Sequence, residues 1–225
     1  MKTLKQHWLD RYQGAATEKL SWFQSQPQPS LNWIRANATL NSAVIDIGAG
    51  ASVLVDHLLE ENYTDISLLD LAGAALQISR QRLGLKAERV IWLTADITQW
   101  QPSRTYSLWH DRAVFHFLTS VEDREAYKRA LLAGLEIGGT LIMATFALGG
   151  PQKCSGLPIV QYDAEKLQAE LGDQFELLES LQEQHPTPTG NSQLFNWCLF
   201  RRIYSRVKSP NRACPTDKPM PILHI

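Results

Sequence analysis

The stretch VIDIGAGASVLVDHLL, residues 44–59, constrains this chain more than any other. An apolar run suited to a buried strand carries an acid, passes two close glycines and resumes with helical apolar spacing. Such a turn opens a βα unit and lets a ligand approach the bare backbone. The rest of the sequence repeats the alternation. Strands are expected at residues 43–47, 65–69, 89–94, 106–110 and 140–146, and helices at 53–61, 72–83, 123–135 and 164–171. Strand and helix in regular alternation mean an α/β fold, a parallel sheet covered on both faces. Two last strands, 175–184 and 195–202, have only HPTPTGNSQ between them. That spacing suits a hairpin, so at least one edge strand is expected to be antiparallel.

With 225 residues there is room for one sizeable domain. Residues 1–38 are expected to form an N-terminal helical cap of two short helices, residues 39–204 the main domain, and residues 205–225 a proline-rich tail. A net charge of -1 advertises neither nucleic acid nor an anionic membrane surface. Arg201, Arg202, Arg206 and Lys208 are the only basic cluster, and they read as a solvated strand end and tail. The three cysteines, Cys154, Cys198 and Cys214, are widely spaced and form no zinc pattern, so no metal is expected and a reducing cytoplasm is. Neither a signal peptide nor a membrane span is visible.

The glycine turn narrows the ligand. A nicotinamide dinucleotide fold wants G-x-G-x-x-G; Gly48 and Gly50 fit, but Val53 holds the third place. A phosphate loop would need a lysine that is not here. Asp46, two residues before Gly48, would repel a pyrophosphate but can accept a hydrogen bond from an ammonium group. Asp70 ends the next strand, where such folds bind ribose hydroxyls. Asp96, after the third strand, can accept the exocyclic amine of adenine. Either Asp46 or Asp70 alone could simply cap a helix. Three acids at successive strand ends instead describe S-adenosylmethionine.

The order Asp-Ile-Gly-Ala-Gly, Leu-Leu-Asp, Thr-Ala-Asp-Ile resembles motifs I, II and III of the class I S-adenosylmethionine-dependent methyltransferases, over roughly residues 40–202. The resemblance implies a mostly parallel seven-stranded sheet in the order 3-2-1-4-5-7-6, with strand seven antiparallel and helices on both faces. It implies that Asp46, Gly48, Ala49 and Gly50 hold the methionine end of the cofactor, Asp70 and Leu71 the ribose, and Asp96 with Ile97 the adenine. Ser52 stands where many members carry a third glycine.

Methyl transfer asks the protein to align an acceptor and exclude water, and needs a base only when the acceptor must lose a proton. His110 and Asp111, in SLWHDRAVFHFL, fall at the end of the fourth strand. His110 is the candidate base; Asp111 could orient it, contact the substrate or cap the next helix. Arg112 could pair with a carboxylate substrate or with a local acid, while Phe115, His116 and Phe117 read as wall and core. Trp22 and Phe23 are expected at the substrate pocket, with Trp8 and Tyr12 as cover, and His185 could reach it from between the last strands. The glycine- and proline-rich segment after the fifth strand has the position of a lid.

A small-molecule acceptor is the first expectation. The segment after the fourth strand and the N-terminal aromatics also resemble small protein-lysine methyltransferases, so a protein acceptor is the alternative. A nucleoside-binding protein that keeps the fold without catalysis is the second.

Overall fold

The computed structural model describes residues 3–204 apart from Ala15. The tail expected over 205–225, with Cys214, Arg206 and Lys208, lies outside them. Seven strands make the main sheet: β1 Val44–Ile47, β2 Ile66–Asp70, β3 Val90–Thr94, β4 Tyr106–Arg112, β5 Leu135–Phe146, β6 Phe175–Pro186 and β7 Ser192–Arg202. Their order is β3-β2-β1-β4-β5-β7-β6, as the resemblance implies. Strands β1 to β5 are parallel, and β7 runs antiparallel to both β5 and β6. Among the described residues six α-helices accompany the sheet: α1 Leu4–Gly14, α2 Ser30–Asn37, α3 Leu54–Glu60, α4 Gly73–Leu83, α5 Val121–Gly134 and α6 Ala164–Leu171.

Helix ends follow side-chain chemistry. Asp163 starts α6 by accepting the Lys166 N–H at 2.8 Å, as the sequence suggests. Helix α5 begins two residues before the expected start because Ser120 is its cap, accepting the Asp123 N–H at 3.1 Å. Strand residues alternate between two apolar layers. Val44, Leu108, Ile142 and Ala144 face α2 and α3 with Trp197. Ile45, Ile47, Trp109, Leu141 and Met143 face α5 and α6 with Tyr127.

Three departures from expectation shape the site. Strand β4 continues two residues beyond its expected end, to Arg112, and breaks only where Ala113 takes a φ of 74°. The β6–β7 hairpin outruns β5: Phe146 pairs with Phe195, and β7 begins three residues earlier at Ser192. Because β7 is antiparallel, its start stands at the carboxyl rim of the parallel strands. Finally, the two N-terminal helices are held differently. Leu31, Trp33 and Ile34 bury α2 in the core beside β1, whereas α1 buries none of its residues.

Helix α1 is held by aromatic edges. Trp8 meets Trp22 at 5.8 Å and Phe117 at 5.1 Å, and Tyr12 meets Trp22 at 6.0 Å, all edge to face. Arg11 Nη2 donates to the Ser155 carbonyl at 2.9 Å. Ser155 and Gly156, with φ of 52° and 82°, turn a short hairpin of Lys153–Cys154 against Leu157–Pro158. The lid position after β5 is thus a hairpin latched to α1. Deleting residues 3–14 should leave a cooperatively unfolding domain by circular dichroism, because no core side chain is removed. The same deletion should speed dissociation of any ligand beneath the cap. Loss of the folded domain would place α1 in the core after all.

Candidate active site

The glycine turn between β1 and α3 is bare by necessity. Gly48 and Gly50 have φ of 67° and 55°. A Cβ on Gly48 would stand 2.0 Å from Val114 Cγ2, and one on Gly50 would stand 2.1 Å from the Tyr12 hydroxyl. Tyr12 therefore reaches from α1 into the turn itself. Burial, with the Asp70 charge beside it, holds that hydroxyl well above the usual phenol range, so it stays protonated.

Two cavities meet here, one of about 360 Å³ and one of about 60 Å³. Asp70, Leu71, Asp96 and Ile97 line the larger; Asp46 and Ala49 line the smaller; Gly48 lines both. Asp70 accepts the Gly50 N–H at 2.9 Å and the Ala72 N–H at 2.7 Å, one on each oxygen. Burial pushes its carboxyl up to about 6, against those two hydrogen bonds and with a smaller push from Asp46. Asp96 accepts from the Thr98 N–H and hydroxyl at 2.9 and 2.7 Å, which folds the turn after β3.

His110 and Asp111, expected side by side at the acceptor, point to opposite faces of the sheet. Adjacent strand residues must do so, and both lie inside β4. His110 faces α2 and sits in register opposite Asp46. Its Nδ1–H donates to Asp46 at 2.6 Å, and Nε2 meets Ser30 Oγ at 2.9 Å. Both ring nitrogens are therefore engaged, and the ring lines the smaller cavity. Asp111 faces α5 instead. It accepts the Tyr127 hydroxyl at 2.6 Å and the Val114 and Phe115 N–H groups at 2.8 and 3.4 Å. It is fully buried and lines neither cavity; burial lifts its carboxyl to about 6, against those bonds. Those bonds fold the turn after β4, where the structure has a single 3-10 turn, Phe115–Phe117, whose cap position is Val114, and not a helix beginning near Arg112.

Arg112 shares the His110 face and lines both cavities, as does Trp22, while Phe23 lines the smaller. Burial lowers the guanidinium to about 10, with Glu183, Cys154 and Asp46 acting the other way, so it stays cationic near neutrality. His185 lies behind this wall. Its ring packs on Phe195 at 6.1 Å and its Nε2–H donates to the Ser21 carbonyl at 2.9 Å. Burial and the Arg112 charge lower its pKa, outweighing that bond, so it positions the loop before Trp22 as a neutral ring. His116 is buried, pushed down to about 3, and accepts the Phe146 N–H, a core role. Cys154 lines the larger cavity, but burial raises its thiol to about 11, which keeps it protonated.

Ser30, Gln193 and Phe195 are at the site without having been singled out from sequence. Ser30 had a signal in principle, a serine in the first turn of a helix after prolines. Nothing local marks Gln193 and Phe195, which arrive through the length of the β6–β7 hairpin. Among the described residues no group of His, Cys, Asp or Glu side chains is placed to hold a metal ion, and no helix is long and apolar enough to cross a membrane.

The sheet order, the antiparallel seventh strand and the bare turn after β1 together define the class I methyltransferase fold. Solved structures share it. A structure from work on converting a disulfide bond into a thioacetal group during echinomycin biosynthesis matches with a TM-score of 0.72 and 16% identity, over 91% of this chain and 95% of that one. An S-adenosylmethionine-dependent methyltransferase from Anabaena variabilis matches with a TM-score of 0.69 and 15% identity, over 88% and 93%. The 1,6-didemethyltoxoflavin-N1-methyltransferase of Burkholderia thailandensis, solved with 1,6-didemethyltoxoflavin and S-adenosylhomocysteine, matches with a TM-score of 0.62 and 18% identity, over 78% and 77%. No protein-family model and no curated protein matches the sequence.

Proposed function

We propose that this chain is an S-adenosylmethionine-dependent methyltransferase acting on a small-molecule acceptor. The observation that carries the reading is the row of acids. Asp46, Asp70 and Asp96 stand at the carboxyl ends of three neighbouring parallel strands and line two adjoining cavities. The residues fit the cofactor: Gly48 and Ala49 of the turn line the smaller cavity, and the carboxylates suit an ammonium, a ribose diol and an adenine amine. Asp46, Gly48, Ala49 and Gly50 would hold the methionine end, Asp70 and Leu71 the ribose, and Asp96 with Ile97 the adenine. S-adenosylmethionine supplies an electrophilic methyl group on a sulfonium.

The chain's own part is alignment and exclusion of water. Tyr12, Trp22 and the latch between Arg11 and Ser155 close the rim. His110, held by Ser30, fixes the Asp46 carboxylate and acts in this reading as a positioning residue. Trp22, Phe23 and Arg112 would face the acceptor. A small acceptor is supported by the aromatic residues that line the larger cavity, and by the toxoflavin enzyme of the same fold, solved with 1,6-didemethyltoxoflavin and S-adenosylhomocysteine.

Calorimetric titration with S-adenosylhomocysteine and with NAD tests the reading. Saturable binding of the first and none of the second is expected; the reverse overturns it. The Asp70 carboxyl adds a pH signature. Ribose hydroxyls donate to the charged form, so affinity should rise as the group deprotonates through about 6 and level off above. The gain is limited to about tenfold per pH unit for one proton. Asp70→Asn should flatten the profile between about pH 5 and pH 7; a flat wild-type profile would remove Asp70 from the ribose.

A further inference from the structure

Arg112 lines both cavities and has an unpaired guanidinium edge. Only its Nη1 has a partner, donating to the Trp22 carbonyl at 2.9 Å. Nε and Nη2, which together form one side of the guanidinium, are buried and hydrogen-bonded to nothing among the described residues. The nearby acids are committed elsewhere. Glu183 accepts from Trp197 Nε1 at 2.7 Å and from Gln24 Nε2 at 3.1 Å. Asp46 accepts from His110. Neither forms an ion pair with Arg112.

Glu183 and Asp46 stabilise the charge without contacting it, but buried N–H groups left without an acceptor are unfavourable, and proteins rarely leave them. Arg112 lines both cavities, so a ligand group is the natural complement. Three features narrow its chemistry. The Nε and Nη2 edge offers two parallel N–H groups, a match for the two oxygens of a carboxylate. Arg112 is the only lysine or arginine lining either cavity, and it stands among the acids Asp46, Asp70, Asp96 and Asp123, so one carboxylate is better tolerated there than a phosphate dianion. The surrounding surface is aromatic. The guanidinium carbon lies 4.8 Å from the centre of the Phe195 ring, and Trp8, Trp22 and Phe117 also line the larger cavity.

On the methyltransferase reading given above, we infer that the acceptor is a planar aromatic compound bearing one carboxylate, which pairs bidentately with Nε and Nη2 of Arg112. This resolves the alternatives open in the sequence, a carboxylate substrate or a local acid, in favour of the substrate.

Benzoate is the probe, with benzamide as its neutral counterpart and phenyl phosphate as the dianion. Each is titrated into the full chain with and without saturating S-adenosylhomocysteine. Benzoate should bind about tenfold or more tightly than benzamide, and also more tightly than phenyl phosphate. Arg112→Gln should reduce benzoate affinity about tenfold or more, and Arg112→Lys should recover only part of it. Equal binding of benzoate and benzamide, tighter binding of phenyl phosphate, or undiminished benzoate binding in both variants overturns the inference. So does binding of S-adenosylhomocysteine with no binding of any probe. Failure of S-adenosylhomocysteine to bind defeats the cofactor reading instead, and the titrations without it still decide whether Arg112 pairs with a carboxylate.

Discussion

Asp70→Ala is expected to weaken S-adenosylhomocysteine binding by about 1–3 kcal/mol, roughly 5- to 150-fold. The carboxylate has two jobs at once. It accepts the Gly50 and Ala72 N–H groups, which ties the glycine turn to the start of α4, and it faces the larger cavity. Removing it would take away the charged partner proposed for the ribose hydroxyls and leave two backbone donors to find water. The turn would then loosen at Gly50, whose positive φ the Asp70 bond helps to hold. Asp70→Asn, which keeps one acceptor and drops the charge, should fall between alanine and wild type. Calorimetry gives the affinity and a denaturant titration gives the stability. An unchanged dissociation constant for the alanine variant would sink the assignment.

Asp111→Ala should instead destabilise the fold, by about 2–4 kcal/mol, and leave cofactor affinity alone once the protein is folded. Its carboxylate ends a chain of buried hydrogen bonds. Trp109 Nε1 donates to Tyr127 Oη at 3.0 Å, Tyr127 donates to Asp111, and two N–H groups of the following turn donate to its other oxygen. Alanine strands three donors in a dry layer. Tyr127→Phe should cost less, about 1–2 kcal/mol, and the double variant less than the sum of the two. Because burial lifts the Asp111 and Asp70 carboxyls to about 6, from an ordinary value near 3.8, the sign of their pH dependence is fixed. Each favours folding below its unfolded pKa, and that contribution is lost as pH rises through about 6. Asp111→Asn should therefore remove part of any loss of stability between about pH 4 and pH 7. Urea midpoints for the variants decide the matter; a wild-type midpoint for Asp111→Ala would return the residue to the acceptor.

Much of this architecture is legible in the sequence, for identifiable reasons. Apolar period and turn residues place the strands and helices, and α6 begins and ends where its pattern and Asp163 say it should. The acids at residues 46, 70 and 96 are readable because each ends or follows a strand-like run. Parity is harder to read. Ending β4 at His110 leaves Asp111 free to turn toward the site, whereas two more residues of pairing commit it to the other face. The Asp46–His110 contact depends on the register between β1 and β4, which no local signal fixes. The isolation of Arg112 is a fact about what surrounds it in space, and only the assembled β6–β7 hairpin and the loop before α2 reveal it.

The rim closes over the glycine turn with parts that the parallel strands do not supply. Helix α1, the small latch hairpin and the far end of β6–β7 form the roof, while the floor belongs to β1, β2 and the turn after β3. Roof and floor thus come from different parts of the chain. On the methyltransferase reading, a change of acceptor would fall to these three peripheral segments, and any replacement of α1 would still have to supply the Tyr12 contact with the glycine turn.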